Sequence, residues 1–280
     1  MREIDASQII ELVEKLCIEA NCNLNKDIEK ALKLGLERED TPLAKNVLET
    51  LIENAKIARE EQVPICQDTG MAVVFFEMGS EAHVSGGNVD DAINEGVRRG
   101  YKKGYLRNSV VKDPINRVNT KDNTPAVIHY SITGGDRIKI TVAPKGFGSE
   151  NMGAVKMLMP SDCIEGVKSF VIETVSKAGA NPCPPVIVGV GVGGTMEKCA
   201  LLAKKALLRT VGSGSADAFW RRTEQELLES INALGIGPAG FGGKTTALAV
   251  HIENFPTHIA ALPVAVNIGC HVTRHAEGIL

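Results

Sequence analysis

The chain has 280 residues, 44% of them hydrophobic and 23% charged, with a formal net charge of −3. That length allows one large domain or two small ones around a buried interior. The near-neutral balance and a sequence pI of about 6.1 exclude a strongly basic binder of nucleic acid or anionic membrane, and no run approaches the ~20 continuous apolar residues of a spanning helix.

The first residues, Met1-Arg2-Glu3-Ile4-Asp5, lack the basic-then-apolar order of a signal peptide. A cytoplasmic protein with no nucleic-acid and no membrane partner is expected. Seven cysteines in a reducing compartment, an odd number without a CxxC pair, do not read as a disulfide framework. The ordinary fate of such a cysteine is that of a small buried hydrophobe.

In chain order, Ser7 to Ala20 carries Ile9, Ile10, Leu12, Val13, Leu16 and Cys17 at helical spacing, with Ser7 as the expected cap. Lys26 to Leu36 continues as helix. Thr41-Pro42 starts a third helix running toward Glu61, with Leu43, Val47, Leu51 and Ile52 on its expected buried side. Residues 1–62 thus read as a helical layer. Beyond Val63-Pro64, Met71–Met78, Ala126–Ile132 and Arg137–Val142 are short runs rich in β-formers, and Asp90 to Lys103 is helical. Ser161-Asp162 caps a helix through Lys177, Pro185–Val190 reads as a buried strand, and Thr195–Arg209 as a helix. Val211 to Ser215 is a flexible-looking break, Ala216–Leu234 is helical, and Thr245–Ile252 and Ile259–Val266 are strands. No internal repeat is evident. The expectation is one α+β (mixed α/β) domain over 1–280, with a helical N-terminal layer followed, over 63–280, by a mixed β-sheet and flanking helices.

Reactive side chains cluster where apolar strands meet turns. In Pro64-Ile65-Cys66-Gln67-Asp68-Thr69-Gly70, Asp68-Thr69-Gly70 makes a good turn by itself. A turn alone does not require a cysteine and a glutamine beside the acid. In Asn181-Pro182-Cys183-Pro184-Pro185 the prolines either stop a helix near Ala180 or hold Cys183 rigid as a ligand. The following Gly189, Gly191 and Gly194 satisfy G-x-G-x-x-G between a strand and a helix, the basis of an alternative NAD(P)-dependent dehydrogenase reading. No acidic residue ends a second strand about 20 residues on, as that fingerprint requires, so the glycines fit close approach of backbone to a cofactor or substrate better. Cys270, in Asn267-Ile268-Gly269-Cys270-His271, is a third cysteine in a turn beside a strand. Three thiolates are able to hold an iron–sulfur cubane and leave one iron open, but their spacing alone carries no motif.

Four strings in order, PICQDTGMAVVFFEMG, KGFGSENMGAVKML, NPCPPVIVGVGVGGT and HIAALPVAVNIGCHVTRHAEG, span most of the chain. Together they resemble the α subunit, or N-terminal region, of class I iron–sulfur fumarate hydratases and L-tartrate dehydratases. The resemblance implies a [4Fe–4S] cluster with one iron not ligated by protein, its ligands falling on Cys66, Cys183 and Cys270. Cys17, Cys22, Cys163 and Cys199 match no ligand and keep the buried-thiol reading. It implies Asp68 as the group that moves the C3 proton, Gln67 at the substrate, Arg107 on a substrate carboxylate, a backbone contact at Gly148, and an active-site His258. By its setting alone, His258 on an apolar strand would be a core histidine.

The implied reaction is reversible hydration of fumarate to malate, a step of the tricarboxylic acid cycle, with L-tartrate dehydration as the alternative. A non-catalytic cluster-binding subunit is the reading from another class. A dicarboxylate needs at least two cationic clamps, and Arg107, Arg274 and Lys145 are the candidates. The further C-terminal region of fused family members has no counterpart here. A separate β subunit is therefore expected to complete the active site in a hetero-oligomer such as α2β2, the α chain being inactive alone.

Overall fold

The computed structural model describes residues 2–280. The elements begin with β1 (Arg2–Asp5), α1 (Ala6–Cys22), α2 (Lys26–Arg38), α3 (Pro42–Glu61), β2 (Met71–Gly79) and β3 (Ala82–Ser85). Next come α4 (Val89–Lys103), β4 (Val127–Thr133), β5 (Ile138–Lys145), the single turn α5 (Phe147–Glu150) and β6 (Ala154–Leu158). The last are α6 (Cys163–Ala178), β7 (Val186–Gly193), α7 (Met196–Ala206), α8 (Ala218–Asn232), β8 (Ala247–Phe255), β9 (Leu262–Gly269) and β10 (Ala276–Ile279). This is the expected α+β class. Among the described residues, no helix is long and apolar enough to cross a membrane.

The chain forms two compact units. Unit 1 takes the chain up to Leu24, Ala55–Gly146 and Arg274–Leu280; unit 2 takes Asn25–Asn54 and Phe147–Thr273. The helices before residue 62 are accordingly divided, with α1 in unit 1, α2 in unit 2 and α3 contributing to both. Each unit has its own apolar core. In unit 1 Ile9, Val13 and Leu16 of α1 pack with Val74, Phe76, Ile138 and Ile140 of the sheet. In unit 2 Val171 and Val175 of α6 and Leu227 and Ile231 of α8 pack with Val188, Val190 and Val266.

Beside a two-stranded parallel sheet, β1-β3, the two four-stranded sheets share one pattern. In unit 1 the order is β10-β5-β2-β4, antiparallel twice and then parallel between β2 and β4. In unit 2 the order is β6-β9-β7-β8, again antiparallel twice and then parallel between β7 and β8. A parallel pair needs a crossover. Helix α4 lies in the first crossover, α7 and α8 in the second. This correspondence lies in strand pairing and leaves no repeat in the sequence.

Local signals place the helix ends only in part. Helix α1 is capped by Asp5, not Ser7: Asp5 Oδ1 accepts from the Ser7 N–H at 2.8 Å while Gln8 Oε1 accepts from the Asp5 N–H at 3.1 Å, a capping box. Thr41 does cap α3, its Oγ1 accepting weakly from the Ala44 N–H at 3.4 Å. The buried face of α3 is Ala44, Leu48, Ala55 and Ala58, whereas Leu43 is 52% exposed. Alanines mark that face because small side chains permit close packing, which hydrophobicity alone does not reveal. The Val211–Ser215 stretch is held, not loose. Asp27 Oδ2 accepts from the Val211 N–H at 2.6 Å, Glu224 Oε2 accepts from the Ser215 N–H at 2.8 Å, and Arg209 donates to the Ser213 carbonyl at 3.3 Å.

The glycine run has a packing role. Gly189 and Gly191 lie inside the fully buried β7, not in a phosphate-facing loop. A side-chain carbon on Gly191 would sit 1.9 Å from the Cys199 carbonyl oxygen, and one on Gly189 2.1 Å from that of Ala203, both on α7. The backbone that approaches closely is therefore that of α7, not a cofactor. Gly191→Ala is expected to destabilise the protein by about 3 kcal/mol, the upper end for overpacking. Gly134→Ala, whose new carbon meets nothing within 4 Å, should shift the urea midpoint little. Equal midpoints for the two variants would contradict this reading.

His251 on β8 is 1% exposed. Its Nδ1 carries the proton to the Ala206 carbonyl at 3.1 Å, and Nε2 has no hydrogen-bond partner. Burial, with the Arg209 charge adding to it, holds its pKa below the ordinary histidine value. The folded state thus binds fewer protons than the unfolded chain once pH falls below ~6.5. Stability should decline from there toward the depressed native value, by at most about 1.4 kcal/mol per pH unit. His251→Gln should flatten that slope in melts between pH 7.5 and 5.5.

Candidate active site

In unit 1 the site residues gather on the loop between α3 and β2. The Ile65 N–H donates to the Asn21 carbonyl at 2.9 Å, which ties the start of the loop to the end of α1. Within the loop the Asp68 N–H points at Cys66 Sγ at 3.4 Å, and Asp68 Oδ1 accepts from the Gly70 N–H at 3.0 Å. Gly70 has φ +75°, and a side chain there would collide with the Lys145 backbone at 2.7 Å. Thr69 joins the loop to Arg107: its Oγ1 accepts from the Arg107 N–H at 2.9 Å and donates to the Arg107 carbonyl at 3.1 Å. Cys66 and Asp68 are half-buried, while Gln67 and Arg107 are exposed. The structure therefore brings Cys66, Gln67, Asp68 and Arg107 together.

The other candidate cations in this unit are less exposed than Arg107. Arg274 is 4% exposed, and its guanidinium donates to Asn21 Oδ1 at 3.1 Å and to the Asp68 carbonyl at 2.7 Å. Both bonds tie the Cys66 loop to the end of α1 within unit 1. Lys145 ends β5 opposite Met71 and is half-buried. Of the three, Arg107 alone is exposed.

In unit 2, Cys183 and Cys270 lie at one end of the sheet. Cys183 sits three residues before β7 with φ +55°, beside a cis Pro184-Pro185 bond, and its N–H donates to the Ala180 carbonyl at 3.0 Å. Cys270 follows β9 directly. His271 joins the two loops: its backbone N–H lies 3.3 Å and its Nδ1 2.9 Å from the Cys183 carbonyl. Gly148, on α5, is exposed and lies beside this region, a side-chain carbon on it meeting the Asn181 carbonyl at 3.7 Å. Behind it, Glu150 pairs with Lys204 at 2.5 Å and accepts from Asn267 Nδ2 at 3.0 Å, which braces the Gly148 turn against the strand that delivers Cys270.

His258 is not with them. It lies exposed in the β8–β9 turn, where its Nδ1 accepts from the Ala260 N–H at 3.2 Å. That turn and Cys270 lie at opposite ends of the eight-residue β9, separated by roughly 25 Å of strand. It is neither a core histidine on a strand nor a neighbour of the two cysteines.

Solvent access separates most of the cysteines. Cys17, Cys22 and Cys199 are buried; burial pushes the Cys17 thiol up to about 12 and raises the other two. Such thiols stay protonated and inert. Cys66 and Cys270 are half-buried and Cys183 is exposed. Cys163, expected to be buried, is exposed at the start of α6. Among the described residues, no three His, Cys, Asp or Glu side chains are gathered as a metal-binding group. Residues that motif reading missed are Asn21, Tyr101, Asn123, His271 and the Lys204–Glu150–Asn267 set. Asn21 carried a signal: it is a polar residue on the apolar face of α1, in phase with Val13 and Cys17.

A profile of the fumarate hydratase (Fumerase) family matches residues 10–279, and the chain belongs to that hydro-lyase family. Two relatives are close over nearly full length. One, from Methanocaldococcus jannaschii, is named "Putative L(+)-tartrate dehydratase subunit alpha" and is 45% identical over 275 residues, 96% of each chain. The other, the L(+)-tartrate dehydratase subunit alpha of Escherichia coli (strain K12), is 34% identical over 272 residues, 96% of this chain and 89% of that protein.

Proposed function

We propose that this chain is the α subunit of an iron–sulfur hydro-lyase that dehydrates a 2-hydroxydicarboxylate, with L(+)-tartrate as its substrate. The observation that carries this reading is the 45% identity, over 96% of both chains, to a relative named for tartrate dehydration. The motifs do not distinguish fumarate from L-tartrate; the names of the relatives favour L-tartrate.

Cys66, Cys183 and Cys270 would hold a [4Fe–4S] cluster. The donor chemistry fits: all three are cysteines with access to solvent, in loops that abut strands, and Cys66 Sγ accepts the Asp68 N–H. When bound, such a cluster with one open iron supplies a Lewis acid for the departing hydroxyl. Asp68 removes the proton from the neighbouring carbon, with one of its carboxylate oxygens steadied by the Gly70 N–H. The Arg107 guanidinium forks onto one substrate carboxylate, Gln67 hydrogen-bonds beside it, and the Gly148 turn offers backbone. From tartrate, loss of water yields a 2-hydroxybutenedioate that tautomerises to the 2-oxo acid.

The second carboxylate needs another cation. Since Arg274 is committed to the interior, a partner subunit supplies it in this reading, consistent with the relatives being named alpha subunits. The test is anaerobic co-expression with the partner subunit, followed by tartrate and fumarate assays on one preparation. A kcat/KM for tartrate at least ~10-fold above that for fumarate is expected, a discrimination within reach of one substrate hydroxyl. Faster hydration of fumarate would overturn the substrate assignment, and full turnover by the α chain alone would overturn the partner's role.

A further inference from the structure

Three consecutive carbonyls of the loop carrying Cys66 and Asp68 accept hydrogen bonds from buried side chains on three separate segments. The Asp68 carbonyl takes Arg274 Nη2 at 2.7 Å, the Thr69 carbonyl takes the Tyr101 hydroxyl at 2.8 Å, and the Gly70 carbonyl takes Asn123 Nδ2 at 3.1 Å. The Tyr101 hydroxyl also lies 3.0 Å from the Gly70 carbonyl. Asn21 extends the set, since its side chain receives Arg274 and its carbonyl receives the Ile65 N–H. Arg274, Tyr101 and Asn123 are 4%, 1% and 0% exposed.

A turn closing a helix onto a strand does not need this arrangement. Burying a phenol hydroxyl, an amide and a guanidinium together is costly unless each finds a partner. Here their partners include the backbone of one short loop, so donors and loop conformation specify each other. With its carbonyls drawn toward these donors, the loop turns the Asp68 N–H toward Cys66 Sγ and the Gly70 N–H toward Asp68 Oδ1.

We propose that Tyr101, acting with Asn123 and Arg274, is a positioning residue that sets Cys66 and Asp68 in their working arrangement before cluster or substrate arrives. This rests on the roles given to Cys66 and Asp68 above. A clamp of this kind acts on the placement of the proton-transfer group, so its loss falls on kcat and leaves KM nearly unchanged.

The test uses Tyr101→Phe, which keeps the ring and removes the hydroxyl. In the cluster-loaded complex kcat should fall about 10- to 100-fold, with KM within about threefold of the parent. In the cluster-free chain, amide exchange over residues 66–70 should accelerate at least ~10-fold while Val73 to Phe76 of β2 keep their protection. Arg274→Lys should retain more protection in the loop than Arg274→Met. Unchanged exchange over 66–70 overturns the proposal whatever the activity. Exchange raised throughout unit 1 overturns it too, because the hydroxyl is then an ordinary core hydrogen bond. If Tyr101→Phe does not fold, Asn123→Asp, which replaces the donor by an acceptor, is read by the same two outcomes. A parent complex that dehydrates neither tartrate nor fumarate fails the functional reading alone, and the exchange result still decides the clamp.

Discussion

Cys183→Ser in the assembled complex should lower dehydration at least ~100-fold, since even residues that only support a metal ligand are worth 10- to 100-fold. The same variant should lose the visible absorption of the cluster. The backbone of Cys183 is fixed by its surroundings: prolines flank it, it sits at φ +55°, and His271 holds its carbonyl. A serine keeps the size and the backbone but offers a neutral hydroxyl where a thiolate is needed. Cys163→Ser is the control, because Cys163 is exposed as well and matches no ligand. Its variant should retain both colour and rate. Equal retention by Cys183→Ser would remove that cysteine from the cluster.

Asp68→Asn is expected to reduce kcat by ~10²- to 10⁴-fold, the range for a general base, with KM and the cluster spectrum close to those of the parent. The hydrogen bond that shapes the turn survives this substitution. The Gly70 N–H bonds to one carboxylate oxygen at 3.0 Å, and an asparagine carbonyl oxygen accepts that bond equally well. The loop therefore keeps its turn while the proton acceptor is lost. A variant that keeps more than about a tenth of the parent kcat would assign the proton transfer to another group. His258 lies at the opposite end of β9 from Cys270.

The two sheets explain why reactive residues recur at strand entries. Cys66 precedes β2 and Cys183 precedes β7, and these are corresponding central strands, each parallel to one neighbour and antiparallel to the other. A strand buried between two neighbours anchors the loop that feeds it. That rigidity is what a ligand or acid–base residue requires. Gly189 and Gly191 support the same strand by letting α7 approach its backbone.

Much of this was legible in the residues themselves. Periodicity located the main helices and the longer strands, Thr41-Pro42 marked the start of α3, and the loops bearing Cys66, Cys183 and Cys270 stood out by composition. These signals are local, set by backbone propensity and side-chain alternation within a few residues. The short strands β1, β3, β6 and β10 carried no such signal, since four or five residues acquire strand character only from their partners. The division into two units, with the chain passing from one to the other and back, depends on pairings between distant segments. The same holds for single residues. A glycine permits close approach but does not say whose backbone approaches, and tertiary packing chose α7. An arginine four residues after Cys270 has one charge whether it faces solvent or interior; only the fold turned Arg274 inward to the Asp68 carbonyl. The chemistry available to the chain was written in its loops, while which groups are exposed and which hold the loops in place was decided by long-range packing.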